Sequence, residues 1–240
     1  MCNDCRRASR RDFLAASAAG LAAAGLATWL PARPANAKVK PTALTPAESL
    51  EKLKTGNAKF VAAPELCVTD IGKRREEVAG GQAPWATILT CADSRVPPEL
   101  LFGGLTLGKL FVCRNAGNTA DIATLGSIEY AAEHLGSPLI VVLGHQKCGA
   151  VAAACEVART GETLPGAMGE MVEPIVPSAI LAMKQAGDVL DNAIRENARR
   201  TADKISVQSP VVSRLVGEGQ VRVAYAIYSL DTGAVEFFDA

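Results

Sequence analysis

Short apolar runs separated by longer amphipathic stretches set the pattern of this chain. Ala86 to Thr90, Lys109 to Arg114 (around Leu110-Phe111-Val112-Cys113), Leu139 to Leu143 and Val221 to Leu230 have the length and β-branched content of buried strands. Between the second and third, Thr119 to Leu135 carries Ile122, Leu125, Ile128 and Ala132 at helical spacing, and Gly136-Ser137-Pro138 ends it. Strand, helix and strand at this spacing form a βαβ unit, and hence a parallel pair. The pattern predicts an α/β fold: a mainly parallel sheet flanked by helices.

The flanking segments fit that plan. Thr45-Pro46-Ala47-Glu48 superimposes three helix-start signals: a threonine N-cap, proline at the first helical position, and glutamate closing a capping box. Leu50, Leu53, Ala58 and Phe60 give this helix a loose apolar stripe, and a charged helix follows over Ile71 to Val78, stopped by Gly80-Gly81. Val96-Pro97-Pro98 cannot continue a regular element, which places the residues before it on a fixed loop. An alanine-rich helix runs from Gly149 to about Arg159, and Thr160 to Gly169 reads as a loop. Helices over about 173–186 and 187–205, the second opened near Asp188, lead to a hairpin turned at Asp231-Thr232-Gly233 and closed by Val235 to Phe238. No internal repeat or second domain is visible, so residues 38–240 read as one domain.

Composition changes the picture mainly at the N-terminus. The chain balances 25 basic against 25 acidic residues, but residues 1–37 hold five arginines and two acids. The remainder is therefore slightly acidic, at net −3, with no basic stripe for nucleic acid. Arg10-Arg11-Asp12-Phe13-Leu14, the Ala/Leu/Gly-rich stretch to Leu30 and the small residues ending at Ala37 have the order of a secretory signal. The paired arginines are of the twin-arginine type, which predicts recognition by export machinery, cleavage after Ala37 and a periplasmic or otherwise extracytoplasmic product. The competing reading is an uncleaved anchor, since the apolar segment is marginally long enough to span a bilayer. Export of an already folded chain would let a metal load before its thiols met an oxidising compartment.

Seven cysteines at irregular spacing are not a disulfide framework. Cys2 and Cys5 precede the expected cleavage site, Cys113 and Cys155 sit in apolar surroundings as inert core residues do, and Cys67 has no evident role. Cys91 and Cys148 differ. Each follows the end of an apolar strand, in Cys91-Ala92-Asp93-Ser94-Arg95 and His145-Gln146-Lys147-Cys148. Two thiolates and an imidazole are zinc ligands, and catalytic zinc keeps three protein ligands with the fourth place open. Strand ends in open α/β sheets are also where ligands bind. Water on such a zinc loses its proton near neutral pH, supplying a nucleophile for a small electrophilic carbon such as that of carbon dioxide.

Asp93 lies two residues past Cys91, and Arg95 two further. The pair either keeps the carboxylate ionised as a proton acceptor, or releases Asp93 to take the fourth zinc position in a closed state, or merely stiffens the loop. The other histidine, His134, reads as a surface residue late in a helix.

Five segments taken together resemble the β-class carbonic anhydrases. They are Gln82-x-Pro84, Cys91-x-Asp93-Ser94-Arg95-Val96-x-Pro98, Phe111-Val112-x-Arg114-Asn115-Ala116-Gly117-Asn118, Ser127-Ile128-Glu129-Tyr130-Ala131 and Gly144-His145-x-x-Cys148-Gly149-Ala150. The resemblance, running from about Thr45 to Phe238, implies a dimer or tetramer with an N-terminal helical arm embracing a partner subunit. It implies zinc on Cys91, His145 and Cys148 and a catalytic Asp93–Arg95 dyad. It further implies carbon dioxide or bicarbonate bound by Gln82, an apolar wall of Phe111 and Tyr130 with Tyr130 reaching over from the neighbouring subunit, and an anion oriented by the Gly149 amide. The implied reaction is reversible hydration of carbon dioxide to bicarbonate and a proton. Hydrolysis of carbonyl sulfide or carbon disulfide on the same scaffold, or a zinc or redox module of the cell envelope without turnover, are the competing functions. Tyr225 and Ser229 depart from the family pattern, which commonly has glycine and aspartate there.

Overall fold

The computed structural model describes residues 42–63, 71–103 and 107–239, so the leader and Cys67 lie outside the described residues. In chain order these residues form α1 (Pro46–Ala62), α2 (Ile71–Val78), β1 (Ala86–Cys91), α3 (Pro98–Leu101), β2 (Leu110–Asn115), α4 (Ile122–Glu133) and β3 (Leu139–His145). There follow α5 (Gly149–Thr160), α6 (Ala167–Val172), a 3₁₀ turn (Glu173–Ile175), α7 (Val176–Ala182), α8 (Val189–Gln208), α9 (Pro210–Gly217), β4 (Arg222–Tyr228) and β5 (Val235–Asp239). The strands make one sheet in the order β2-β1-β3-β4-β5, parallel except for the β4–β5 hairpin.

The unbroken apolar character of β3 has a direct cause: both faces of this central strand are covered. Leu139, Val141 and Leu143 point to one side and pack with Leu50, Leu53, Ile88 and Leu101. Ile140 and Val142 point to the other, among Leu89, Ile128, Ala198, Ala202 and Ile205. The helix starts are built as their sequences dictate. Thr45 Oγ1 accepts from the Glu48 amide at 3.2 Å, and Glu48 Oε2 accepts from the Thr45 amide at 2.7 Å.

Several expected details change. Ala58 faces solvent, and Gly56 and Asn57 take its place on the buried face of α1. A Cβ on Gly56 would lie 2.3 Å from the Phe102 carbonyl oxygen, so only glycine permits that approach. Asn57 ties the arm to the terminal hairpin, donating to the Leu101 and Gly233 carbonyls and accepting from the Val235 amide at 2.8 Å. The prolines after Val96 do more than break structure, because Pro98 opens α3 at its first position. The expected loop over 160–169 already enters α6 at Ala167, the expected helix over 173–186 is a 3₁₀ turn followed by the short α7, and α8 runs on to Gln208. Helix α9 was not foreseen. Ser209, which closes α8, caps it by accepting from the Val212 amide at 3.0 Å.

Helix α4 starts later than its apolar spacing suggested. Asp121 is the N-cap, accepting from the Thr124 amide at 2.7 Å, and Ile122 is 87% exposed instead of joining Leu125, Ile128 and Ala132. That amide bond holds the Asp121 carboxyl below the usual carboxylate range. Its capping contribution is therefore full above the unfolded aspartate value and fades as the pH falls through the folded one. We expect Asp121→Ala to cost about 1 kcal/mol at neutral pH. The difference from the parent should shrink in acid, as denaturant midpoints at both pH values will show.

Candidate metal centre

Sheet order decides where the site lies. The chain leaves β1 for β2 on one side and returns to β3 on the other, so a crevice opens between the carboxyl ends of β1 and β3. Cys91 ends β1, His145 ends β3, and Cys148 is the N-cap of α5 just beyond. Residues 54 apart in sequence thus meet because two adjacent parallel strands stop together. All three are buried, and their ligand atoms lie within 4.8 Å of one another.

The donor geometry fits a metal ion. The two sulfurs are 3.9 Å apart, with both cysteines unpaired. That is far beyond a disulfide bond, and close to the ~3.8 Å expected of two thiolates on one tetrahedral zinc. His145 Nδ1 lies 2.8 Å from the Gln146 carbonyl, which makes Nδ1 the protonated nitrogen and leaves a lone pair on Nε2. That Nε2 is buried without any hydrogen-bond partner, a costly arrangement unless a metal takes the lone pair. Without metal the sulfurs share a proton. Cys91 is pulled towards the thiolate chiefly by its hydrogen bond with Cys148, and also by the Gly117 amide. Cys148 is pushed up by the same bond and by burial. A doubly charged ion would displace that proton and hold both sulfurs as thiolates.

Asp93 stands beside the ligands, engaged by Arg95. Its Oδ1 accepts from the Arg95 amide and Nε, both at 2.9 Å, and its Oδ2 accepts from Nη2 at 2.7 Å. The fork, chiefly through its hydrogen bonds, holds the carboxyl well below the usual carboxylate range. Oδ2 is also 4.0 Å from His145 Nε2, so the ionised oxygen sits at the mouth of the ligand set.

Sequence reasoning missed the supports behind these residues. Arg114 donates from Nη2 to the Asp93 carbonyl at 2.6 Å and from Nε to the Cys91 carbonyl at 3.1 Å, clamping the loop between ligand and acid. Its position at the head of Arg114-Asn115-Ala116-Gly117-Asn118 was the available signal. Gln146 Oε1 accepts from Ser229 Oγ at 3.1 Å and the Leu230 amide at 3.0 Å, so Ser229 reaches the turn that carries His145. Tyr225 instead stacks on Phe238, centroids 4.9 Å apart. Cys113 and Cys155 are half-buried, and burial pushes both thiols up, Cys113 to about 11.

Gly117 is a glycine required at the metal centre itself. Its amide donates to Cys91 Sγ at 3.4 Å, its φ is +84°, and a Cβ there would lie 2.4 Å from Ile175 Cδ1. Gly117→Ala is expected to lower stability by about 1–3 kcal/mol through overpacking and strain. It should also weaken zinc binding by withdrawing the amide from the sulfur. Thermal melts with and without zinc will separate the two effects.

Not every expected site residue lies near these ligands. Gly149 is the first residue of α5, next to Cys148, with open space in front of its α-carbon. Phe111, however, pairs with Thr87, four residues before Cys91, or roughly 13 Å along the strand. Tyr130 packs beside it on α4 with ring centroids 6.4 Å apart, and Gln82 precedes β1 altogether, exposed. Within one protomer these three sit toward the opposite end of the sheet from the metal ligands. His134, at the end of α4, is exposed beside Tyr130.

Residues 86–235, which span β1 to β4 and all three metal ligands, match the family model for carbonic anhydrase. The chain belongs to the carbonic anhydrase family. Carbonic anhydrase 2 of Mycobacterium tuberculosis is 39% identical over 189 residues, covering 78% of this chain and 90% of that protein. Among solved structures, the β-carbonic anhydrase of Coccomyxa in complex with acetazolamide superimposes with a TM-score of 0.60 at 27% identity, covering 81% of this chain and 86% of the other. A tetrameric β-carbonic anhydrase from Sordaria macrospora gives 0.58 at 25% identity, over 71% and 91%. This carbonic anhydrase therefore has the β-class fold as well as a cysteine–histidine–cysteine group able to hold zinc.

Proposed function

We propose that this protein reversibly hydrates carbon dioxide to bicarbonate and a proton, with zinc held by Cys91, His145 and Cys148. The observation that carries the reading is the buried, unpartnered Nε2 of His145 facing two sulfurs 3.9 Å apart. Zinc, when bound, supplies a Lewis acid that makes water a nucleophile near neutral pH. The remaining work belongs to the chain. Asp93, kept ionised, accepts a hydrogen bond from the attacking hydroxide and so aims its oxygen lone pair at the substrate carbon. Arg95 keeps that carboxylate ionised and fixes both its oxygens, and Arg114 holds the loop on which the dyad stands.

Substrate contacts by Gln82, Phe111 and Tyr130 then require a second copy, because within one protomer they lie too far from the ligands. A homo-oligomer, dimer or tetramer, completes the site, with α1 as the embracing arm. Residues 1–37 serve as a twin-arginine export signal that delivers the folded domain outside the cytoplasm, a reading supported by Arg10-Arg11, the apolar stretch and the small residues ending at Ala37.

Stopped-flow hydration of carbon dioxide by the zinc-loaded protein tests the reaction, beside sulfide release from carbonyl sulfide and carbon disulfide. Rapid hydration without sulfide release is the expected result. Sulfide release without hydration would transfer the site to the sulfur analogues, and zinc binding without either activity would leave an envelope metal module.

A further inference from the structure

Behind the turn that holds Cys91 lies a second polar cleft, separate from the metal ligands. It occupies about 300 Å³ between α7, α8 and the segment around Thr119. We infer that this cleft binds a small inorganic oxyanion through Ser178, Thr201, Arg200 and Lys204.

Three observations carry the assignment. The first is an orphaned donor. Ser178 lines the cleft, is 1% exposed, and its hydroxyl has no hydrogen-bond partner. A buried hydroxyl without a partner is costly, and a bound acceptor relieves that cost. The second is the pattern of α8. Asn197, Thr201 and Lys204 recur every three or four residues on the face turned toward α7, where a packed helix would carry apolar side chains. Asn197 is satisfied by donating to the Gly117 carbonyl at 2.8 Å, so the groups of this stripe offered to the cleft are the buried Thr201 hydroxyl and the half-buried Lys204 ammonium.

The third is charge. Arg200 and Lys204 both line the cleft and no carboxylate does. Neighbouring Arg199 is already held by Glu196 and Asp203, whereas Arg200 has no ion pair among the described residues. Lys204 is partly countered by the Asp121 carboxylate, which also accepts from the Thr124 amide, so Arg200 is the cation left without a counter-charge. Two cations at the rim and hydroxyl donors within are the complement of a small oxyanion, phosphate, sulfate or bicarbonate alike. A neutral or cationic ligand would leave Arg200 without a counter-charge.

The test is calorimetric titration of the zinc-loaded full chain with sodium phosphate at fixed ionic strength, using chloride as the control anion. One phosphate per chain is expected, with chloride giving no saturable heat. R200Q/K204Q should weaken phosphate about tenfold or more, since it removes two charge-assisted contacts. Ser178→Ala should weaken it several-fold and serves if the double variant fails to fold. Arg95→Gln, which disturbs the metal centre alone, should leave phosphate affinity at the cleft unchanged. Competition with bicarbonate and sulfate then identifies the source. Displacement at lower bicarbonate than sulfate assigns the cleft to the product of hydration, and the reverse order assigns it to an ambient anion. The inference is overturned if phosphate binds no tighter than about 10 mM, if the folded R200Q/K204Q or Ser178→Ala protein binds it like the parent, or if binding disappears with Arg95→Gln.

Discussion

His145→Ala is expected to release zinc and to reduce carbon dioxide hydration to background. Complete four-ligand zinc sites are worth about 10–16 kcal/mol of binding, so one ligand carries on the order of 3 kcal/mol, and affinity should fall by two to three orders of magnitude. Position makes the loss hard to repair. His145 is fully buried at the end of β3, its Nδ1 is committed to the Gln146 carbonyl, and no other histidine lies near. The two sulfurs left behind should remain unpaired or oxidise, so the measurement is made under reducing conditions by competition with a chromogenic chelator. Circular dichroism checks that the sheet survives the small cavity. Zinc held at parental affinity by folded His145→Ala protein would refute the ligand assignment.

The second large effect concerns Asp93. Asp93→Asn keeps the shape of the side chain but removes the charge that Arg95 grips with Nε and Nη2. Loss of the ionised acceptor that orients the nucleophile is expected to lower kcat by about 10²-fold with zinc content unchanged. Arg95→Gln should fall by less, because the carboxylate survives without its orienting fork. The double variant should be little worse than Asp93→Asn alone, since the two residues act as one unit. A kcat within about twofold of the parent for Asp93→Asn would reduce the pair to a loop brace.

These expectations rest on residues that were visible in the linear chain to different degrees. The strands were legible because β3 must be apolar on both faces, and a run such as Leu139 to Leu143 has few other uses. Helix α1 was legible because Thr45, Pro46 and Glu48 act on their own neighbours, and local hydrogen bonds leave local signatures. Ile122 misled for the complementary reason. Helical spacing placed it in the core, but Asp121 captures the Thr124 amide and starts the helix after the chain has turned, leaving Ile122 outward. Helix α9 escaped notice because its eight residues pack only two buried side chains, Val212 and Leu215. Arg114 belongs to one of the family-like segments, yet its hold on two backbone carbonyls has no signature in residue type or spacing.

What the sequence alone determined is the chemistry available: two thiols, one imidazole and an acid–guanidinium couple, each at a strand end or within four residues of one. Residue identity sets softness, charge and proton affinity, and these need no fold to be read. Only the tertiary structure decided that Cys91 and His145 finish side by side, that the lone pair of Nε2 faces two sulfurs, and that Gln82, Phe111 and Tyr130 stand away from their own metal ligands. Strand order and register carry that information. They are settled by burial summed over the whole sheet, which no short stretch of the chain contains.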